Sequence, residues 1–233
     1  QLTLFGRPVK KPTQIHFKKD TKPFPVVIDL HLEPAIAFTK VKGINKLSPK
    51  TEYFTKYLFD NIEKVNVEKS SFPVLKIDTL ILYLLLHFYH HNFNGVHRLE
   101  LINTIIKKEK ISWDYIAKLV KKYEFENLIY PVILILQKYY ITKIPKKILD
   151  SIKPSIFPRM VGIIISILFS PFNRGTRTEE GIKRFIFLIL LSPSPMTQKL
   201  KVALQKETFS YILPSIRSLF FSSTKKLSKS VLA

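Results

Sequence analysis

Apolar and polar residues alternate between Pro25 and Glu33. Val26, Ile28, Leu30 and Leu32 fall on one face of an extended chain, and Asp29, His31 and Glu33 fall on the other. The pattern predicts a strand with one buried face and one face free for chemistry or solvent. Gln14 to Lys18 alternates in the same way, and the polar link Lys19 to Lys22 predicts an antiparallel hairpin between the two segments. Gly6 is expected to mark a turn ahead of it. Pro8, Pro12 and Pro23 exclude a long helix from the first 24 residues. Residues 34–50, with Pro34, Gly43 and Pro49, read as an irregular connection with a short helix near Ala35 to Lys40. Tyr53, Phe54, Tyr57 and Leu58 have the spacing of a helix over Glu52 to Asp60, and Ile62 to Phe72 alternates as a third strand would.

From Asp78 onward the period changes to that of helices. Asp78 is placed as an N-cap for a helix carrying Leu80, Ile81, Leu84, Leu85 and Phe88. A turn at Asn92 to Gly95 leads to a second helix over Arg98 to Lys108. Ser112 is an N-cap candidate for a third, with Trp113, Ile116, Ala117 and Val120 as its buried stripe. A fourth helix is expected over Leu128 to Tyr139, with Pro131 in its first turn, and Pro145 and Pro154 bracket a short fifth. Further helices are expected from Met160 to Phe169, Glu179 to Leu191 and Met196 to Leu204, with a basic turn at Asn173 to Arg177. The reading is an α+β chain: a strand-rich part over 1–75, a helical domain over 76–205 and a basic tail over 206–233.

Charge changes this picture most. Lys and Arg total 38 against 17 Asp and Glu, a formal charge of +21, which points to a polyanionic partner, nucleic acid first and RNA in particular. Lys dominates the excess, and that bias also arises from source composition. The chain has no cysteine, which removes disulfides, thiolate metal sites and thiol nucleophiles together. The longest apolar runs, Met160 to Phe172 and Phe185 to Leu191, fall short of the roughly 20 residues of a membrane-spanning helix. Without a secretory signal after Gln1, a cytoplasmic location is expected. A peripheral contact with anionic lipid through the basic end is disfavoured, because that end lacks amphipathic periodicity. The first residue is Gln, so the natural start is expected to lie further upstream.

His87 and His91 sit four apart on one predicted helix face, with His90 beside them. Two imidazoles do not complete a zinc site, so packing or hydrogen bonding is the expected role. No Gly-rich phosphate loop and no nucleophile elbow is present. Four short segments occur in a telling order: Ile28-Asp29-Leu30-His31-Leu32, Leu84 to His91, Ile111-Ser112-Trp113-Asp114-Tyr115-Ile116, and Leu190 to Pro195. In that order they resemble a poorly characterised nucleotidyltransferase-like family of the DNA polymerase beta superfamily, over roughly residues 10–205. The resemblance implies nucleotide transfer from a nucleoside triphosphate, with Mg²⁺ held by three carboxylates. Asp29 matches the third of these, as catalytic and metal-binding residue, with His31 as its strand neighbour. The first two are expected upstream, because Asp20 is the one acid in residues 1–28. Asn103 stands where the family pattern usually has Asp. Arg174, Arg177 and Arg184 are candidate phosphate or nucleic-acid contacts. The alternative is a non-catalytic, basic RNA-binding or ribonucleoprotein component on the same fold.

Overall fold

The computed structural model describes residues 3–4, 7–8, 14–19, 26–31, 47–140, 144–168 and 177–205. The chain divides into two compact units, residues 1–35 and 36–233. In the first, β1 (Thr3–Leu4) pairs antiparallel with β2 (Arg7–Pro8), and β3 (Gln14–Lys19) pairs antiparallel with β4 (Val26–His31). The second hairpin has the register that alternation requires. Ile15 stands opposite Leu30 and Phe17 opposite Ile28 on one face, while His16 stands opposite Asp29 on the other. The expected turn at Gly6, the helix near Ala35 to Lys40, the basic turn at 173–176 and the tail from 206 lie outside the described residues.

The second unit begins with α1 (Lys50–Asp60), followed by β5 (Ile62–Val67) and β6 (Ser70–Leu75). Thus the single strand expected over Ile62 to Phe72 is a hairpin instead. Its turn at Glu68-Lys69 holds Glu68 at φ 53°, a left-handed conformation in a residue that gives no Gly or Asn turn signal. The hairpin is solvent-exposed, including Ile62, Val65 and Phe72, and its base closes where the Lys76 N–H donates to the Asn61 carbonyl at 3.3 Å.

Among the described residues eight helices follow: α2 (Ile77–His90), α3 (Val96–Lys108), α4 (Trp113–Lys122), α5 (Glu126–Tyr139), α6 (Lys146–Ser151), α7 (Ile156–Leu168), α8 (Arg177–Leu191) and α9 (Met196–Ala203). The protein is therefore α+β with a small strand content. α2 is the axis of the bundle. Ile81, Leu82, Leu85, Leu86, Phe88 and Tyr89 are all buried, which exceeds one amphipathic stripe, and α3, α4 and α5 pack around them.

One expected cap and the place of one proline are corrected. Lys76, not Asp78, occupies the N-cap position of α2. Asp78 stands inside the first turn, where its Oδ1 accepts a hydrogen bond from the Ser112 N–H at 2.7 Å, so it caps the start of α4 rather than its own helix. Pro131 lies in the second turn of α5, buried, one turn deeper than expected. Lysines serve the opposite helix ends. Lys138 donates to the Ser166 and Ile167 carbonyls at 2.9 and 3.0 Å, closing α7, and buried Lys199 donates to the Leu190 carbonyl at 3.2 Å, closing α8.

α2 ends through residues in left-handed backbone. The Phe93 N–H reaches the Phe88 carbonyl at 3.0 Å and the Asn92 N–H reaches the Tyr89 carbonyl at 2.8 Å, the paired bonds of a Schellman ending. Asn92 tolerates its φ of 54°, but Phe93 at φ 58° is a bulky residue in a costly region. Burial offsets this: the Phe93 ring meets Phe88, Tyr89 and Phe187 edge-on, at centroid distances of 6.1, 5.7 and 5.5 Å. Phe93→Ala should accordingly destabilise the protein by about 3 kcal/mol or more in urea unfolding. Asp78→Ala should cost about 1 kcal/mol by loss of the α4 cap. A Phe93→Ala midpoint equal to wild type would remove this side chain from the core's support.

Candidate functional site

The expected catalytic carboxylate is on β4. The register sets Asp29 opposite His16 and His31 opposite Gln14, so the non-apolar face of the hairpin carries one carboxylate and two imidazole residues. Mg²⁺ takes oxygen ligands and binds through carboxylates and phosphates. This donor set fits one corner of such a site and not a whole one. Among the described residues, no group of three or more His, Cys, Asp or Glu gathers closely enough to hold a metal ion. Arg177 opens α8, and Arg184 lies seven residues further along the same helix. Arg174 lies outside the described residues. His87, His90 and His91 are ring neighbours at the end of α2, with His87 and His91 edge to face at 4.5 Å, and Tyr83 beside His87. Asn103 is buried in α3.

A second arrangement lies wholly within the helical unit. α1 buries Thr51, Phe54 and Leu58 and turns Lys50, Tyr53, Lys56, Tyr57 and Asp60 outward, at the spacing of one helical stripe. Phe54 fixes this orientation. Its ring is fully buried and meets Tyr123 and Phe125 edge-on at 5.0 and 5.2 Å, which docks α1 on the turn between α4 and α5. That turn is itself a Schellman ending: the Phe125 N–H donates to the Val120 carbonyl at 2.9 Å, with Glu124 at φ 58°.

Between α1 and the end of α4 this packing leaves a groove of about 460 Å³, lined by Lys50, Tyr53, Lys56, Tyr57, Asp60, Lys122 and Tyr123. Tyr53 is 70% exposed although its ring is large and apolar. The Lys122 ammonium stands over the Tyr57 and Tyr123 rings at 5.5 and 5.2 Å from their centroids. Lys50 pairs with Glu124 at 2.7 Å. On the other side of α4 a smaller groove of about 220 Å³ is lined by Lys118, Lys121 and Lys147 together with Asp114, Ala117, Ile148 and Ser151. The hydroxyls of Tyr57 and Tyr115 hydrogen-bond across α1 and α4. Burial, reinforced by that bond, pushes the Tyr57 phenol above its ordinary value of 10.0, so it stays neutral at any physiological pH.

None of these groove residues stood out as a site in the sequence. Tyr53 and Tyr57 share helical spacing with Phe54 and Leu58, and that spacing does not separate the two pairs. The available signal was Lys50 and Lys56 on the tyrosines' side of the helix.

The profile of a protein family matches residues 16–140, more than half of the chain, and makes the protein nucleotidyltransferase-like in class. The chain belongs to that family, which is described as uncharacterised nucleotidyltransferase. No curated protein and no solved structure matches the chain. The matched span takes in Asp29, His31 and every residue of the tyrosine groove, and ends before Leu190 to Pro195. In that last segment Leu191 and Ser192 are buried, and Ser194 Oγ donates to the Leu47 carbonyl at 3.0 Å, so it ties the end of α8 to the entry of α1.

The Tyr57 shift has a stability consequence. The folded phenol titrates above the unfolded one, so its contribution is intact below pH 10.0 and is lost as pH rises beyond that value. Tyr57→Phe should therefore lose less stability than wild type when urea midpoints are followed upward from pH 10.0. Parallel curves for the two proteins would assign the alkaline loss to other groups.

Proposed function

We propose that the protein acts in nucleotidyl transfer, taking a nucleotide from a nucleoside triphosphate with Mg²⁺ and passing it to a hydroxyl or phosphate acceptor. The observation that carries this reading is the family match over the strand bearing Asp29. In the reading, Asp29 is one of the carboxylates that hold the metal, and Mg²⁺ when bound would neutralise triphosphate charge and activate the attacking oxygen. The remaining carboxylates are not supplied by the described hairpin. His16 stands across the register from Asp29, and His31 lies two residues further along the same strand. Arg174, Arg177 and Arg184 remain candidates for the phosphates, and the cytoplasm remains the expected compartment. No helix among the described residues is long and apolar enough to cross a membrane.

The second reading is a non-catalytic RNA-binding component on the same fold. The charge of +21 and the lysine-lined grooves on both sides of α4 support it.

Calorimetric titration with Mn²⁺ or Mg²⁺ separates the two. The catalytic reading expects weak binding that Asp29→Asn abolishes, with the dissociation constant lowered by added nucleoside triphosphate. Metal binding that survives Asp29→Asn unchanged would contradict the role given to this residue.

A further inference from the structure

We infer that the groove between α1 and the end of α4 binds single-stranded RNA, with a base stacked on Tyr53 and the flanking phosphates on Lys56 and Lys122. The inference rests on the reading that the partner is nucleic acid, and it holds whether or not the protein is catalytic.

Three observations carry it. The first is the placement of Tyr53. A residue that buries well in cores is held 70% exposed, on the same stripe as Tyr57, by a helix whose opposite face is locked down through Phe54. An aromatic face presented to solvent beside ammonium groups is what unpaired bases require, because every base offers a π-face and every linkage a negative charge. The second is the charge of the lining. Lys50, Lys56 and Lys122 face a single acid, Asp60. Lys50 pairs with Glu124 at 2.7 Å, and Lys56 and Lys122 supply the other two positive charges of the lining. The Lys122 ammonium stands over the Tyr57 and Tyr123 rings, which places its charge beside the groove wall. The third is openness. Lys56, Asp60 and Lys122 are exposed along with Tyr53, so the groove suits a strand passing through it better than an enclosed mononucleotide.

The neutral Tyr57 phenol adds to this fit. A tyrosine phenol is protonated at neutral pH, so Tyr57 brings no negative charge to the groove floor to repel a phosphate. Lysine ammoniums are point charges, so binding should track the backbone and show little sequence preference.

Fluorescence polarisation with a fluorescein-labelled uridine oligonucleotide of about 12 residues provides the test. Tyr53→Ala should weaken binding by about tenfold or more, and Tyr53→Phe should restore it. The side chain is exposed, so the fold should survive, as a matching urea midpoint would show. Lys56→Gln combined with Lys122→Gln should weaken binding and flatten the dependence of log affinity on log salt by about 1.4, two phosphates at about 0.7 each. The same oligonucleotide annealed to its complement should bind more weakly than the single strand, and uridine monophosphate should compete poorly. Asp29→Asn should leave RNA binding intact, so loss of metal binding and loss of RNA binding report separately on the two proposals. Wild-type affinity and salt slope in both groove variants would overturn the assignment, as would tight displacement by the mononucleotide alone.

Discussion

The structure of the helical unit depends on α2 having no solvent face large enough to stand free. Ile81, Leu82, Leu85, Leu86, Phe88 and Tyr89 are buried, no residue from Ile77 to His90 is exposed, and α3, α4 and α5 all lie against the helix. Each such side chain contributes about 1.5–3 kcal/mol on burial, and α5 buries a matching set from Leu128 to Leu136. Everything outside it is arranged by what remains exposed once that burial is complete. Asp78 shows the coupling. It leaves the first turn of α2 to cap the start of α4, so the central helix also sets where the next wall of the bundle begins.

α1 is fastened to this bundle by Phe54 together with buried Thr51 and Leu58. Phe54 enters the aromatic cluster of Tyr123 and Phe125 at the α4–α5 turn, and the hydrogen bond between the Tyr57 and Tyr115 hydroxyls ties the same helix to α4. The outward set holds two lysines and two tyrosines against one acid, Asp60, so this face presents net positive charge beside aromatic rings. The groove is thus a consequence of core packing, and its shape is held by a turn whose strained Glu124 is paired with Lys50. A working surface supported this way is preorganised, because neither wall moves without opening the core.

Much of the helical unit could be read from residue order because its helices carry their own start and stop marks. Ser112 stands at the start of α4, Pro145 stands before α6, and Ser192 to Pro195 separates α8 from α9. The hairpin of β3 and β4 was legible for the same local reason, alternation on both strands and a short polar link. What stayed hidden was long-range or chemically mute. The β5–β6 turn uses Glu68 and Lys69, which advertise no turn. The hydrogen bond of Asp78 joins residues 34 apart, and the caps supplied by Lys138 and Lys199 likewise come from other elements. The groove was hidden because helical period says that Tyr53, Phe54, Tyr57 and Leu58 lie close together, but not that the core stops between Phe54 and Tyr53. The family resemblance was legible in the order of short segments that begins at Ile28 to Leu32, and the family match over residues 16–140 agrees with that resemblance.

The central claim is that the docking of α1 creates the surface on which nucleic acid lies. Photo-crosslinking with a 4-thiouridine-substituted single strand, followed by mass spectrometry of the linked peptides, tests it without any substitution in the protein. The account predicts adducts on the peptide that carries Tyr53 and Tyr57, and on the one that carries Lys122 and Tyr123. Crosslinks confined to other parts of the chain, with none on these two peptides, would contradict it.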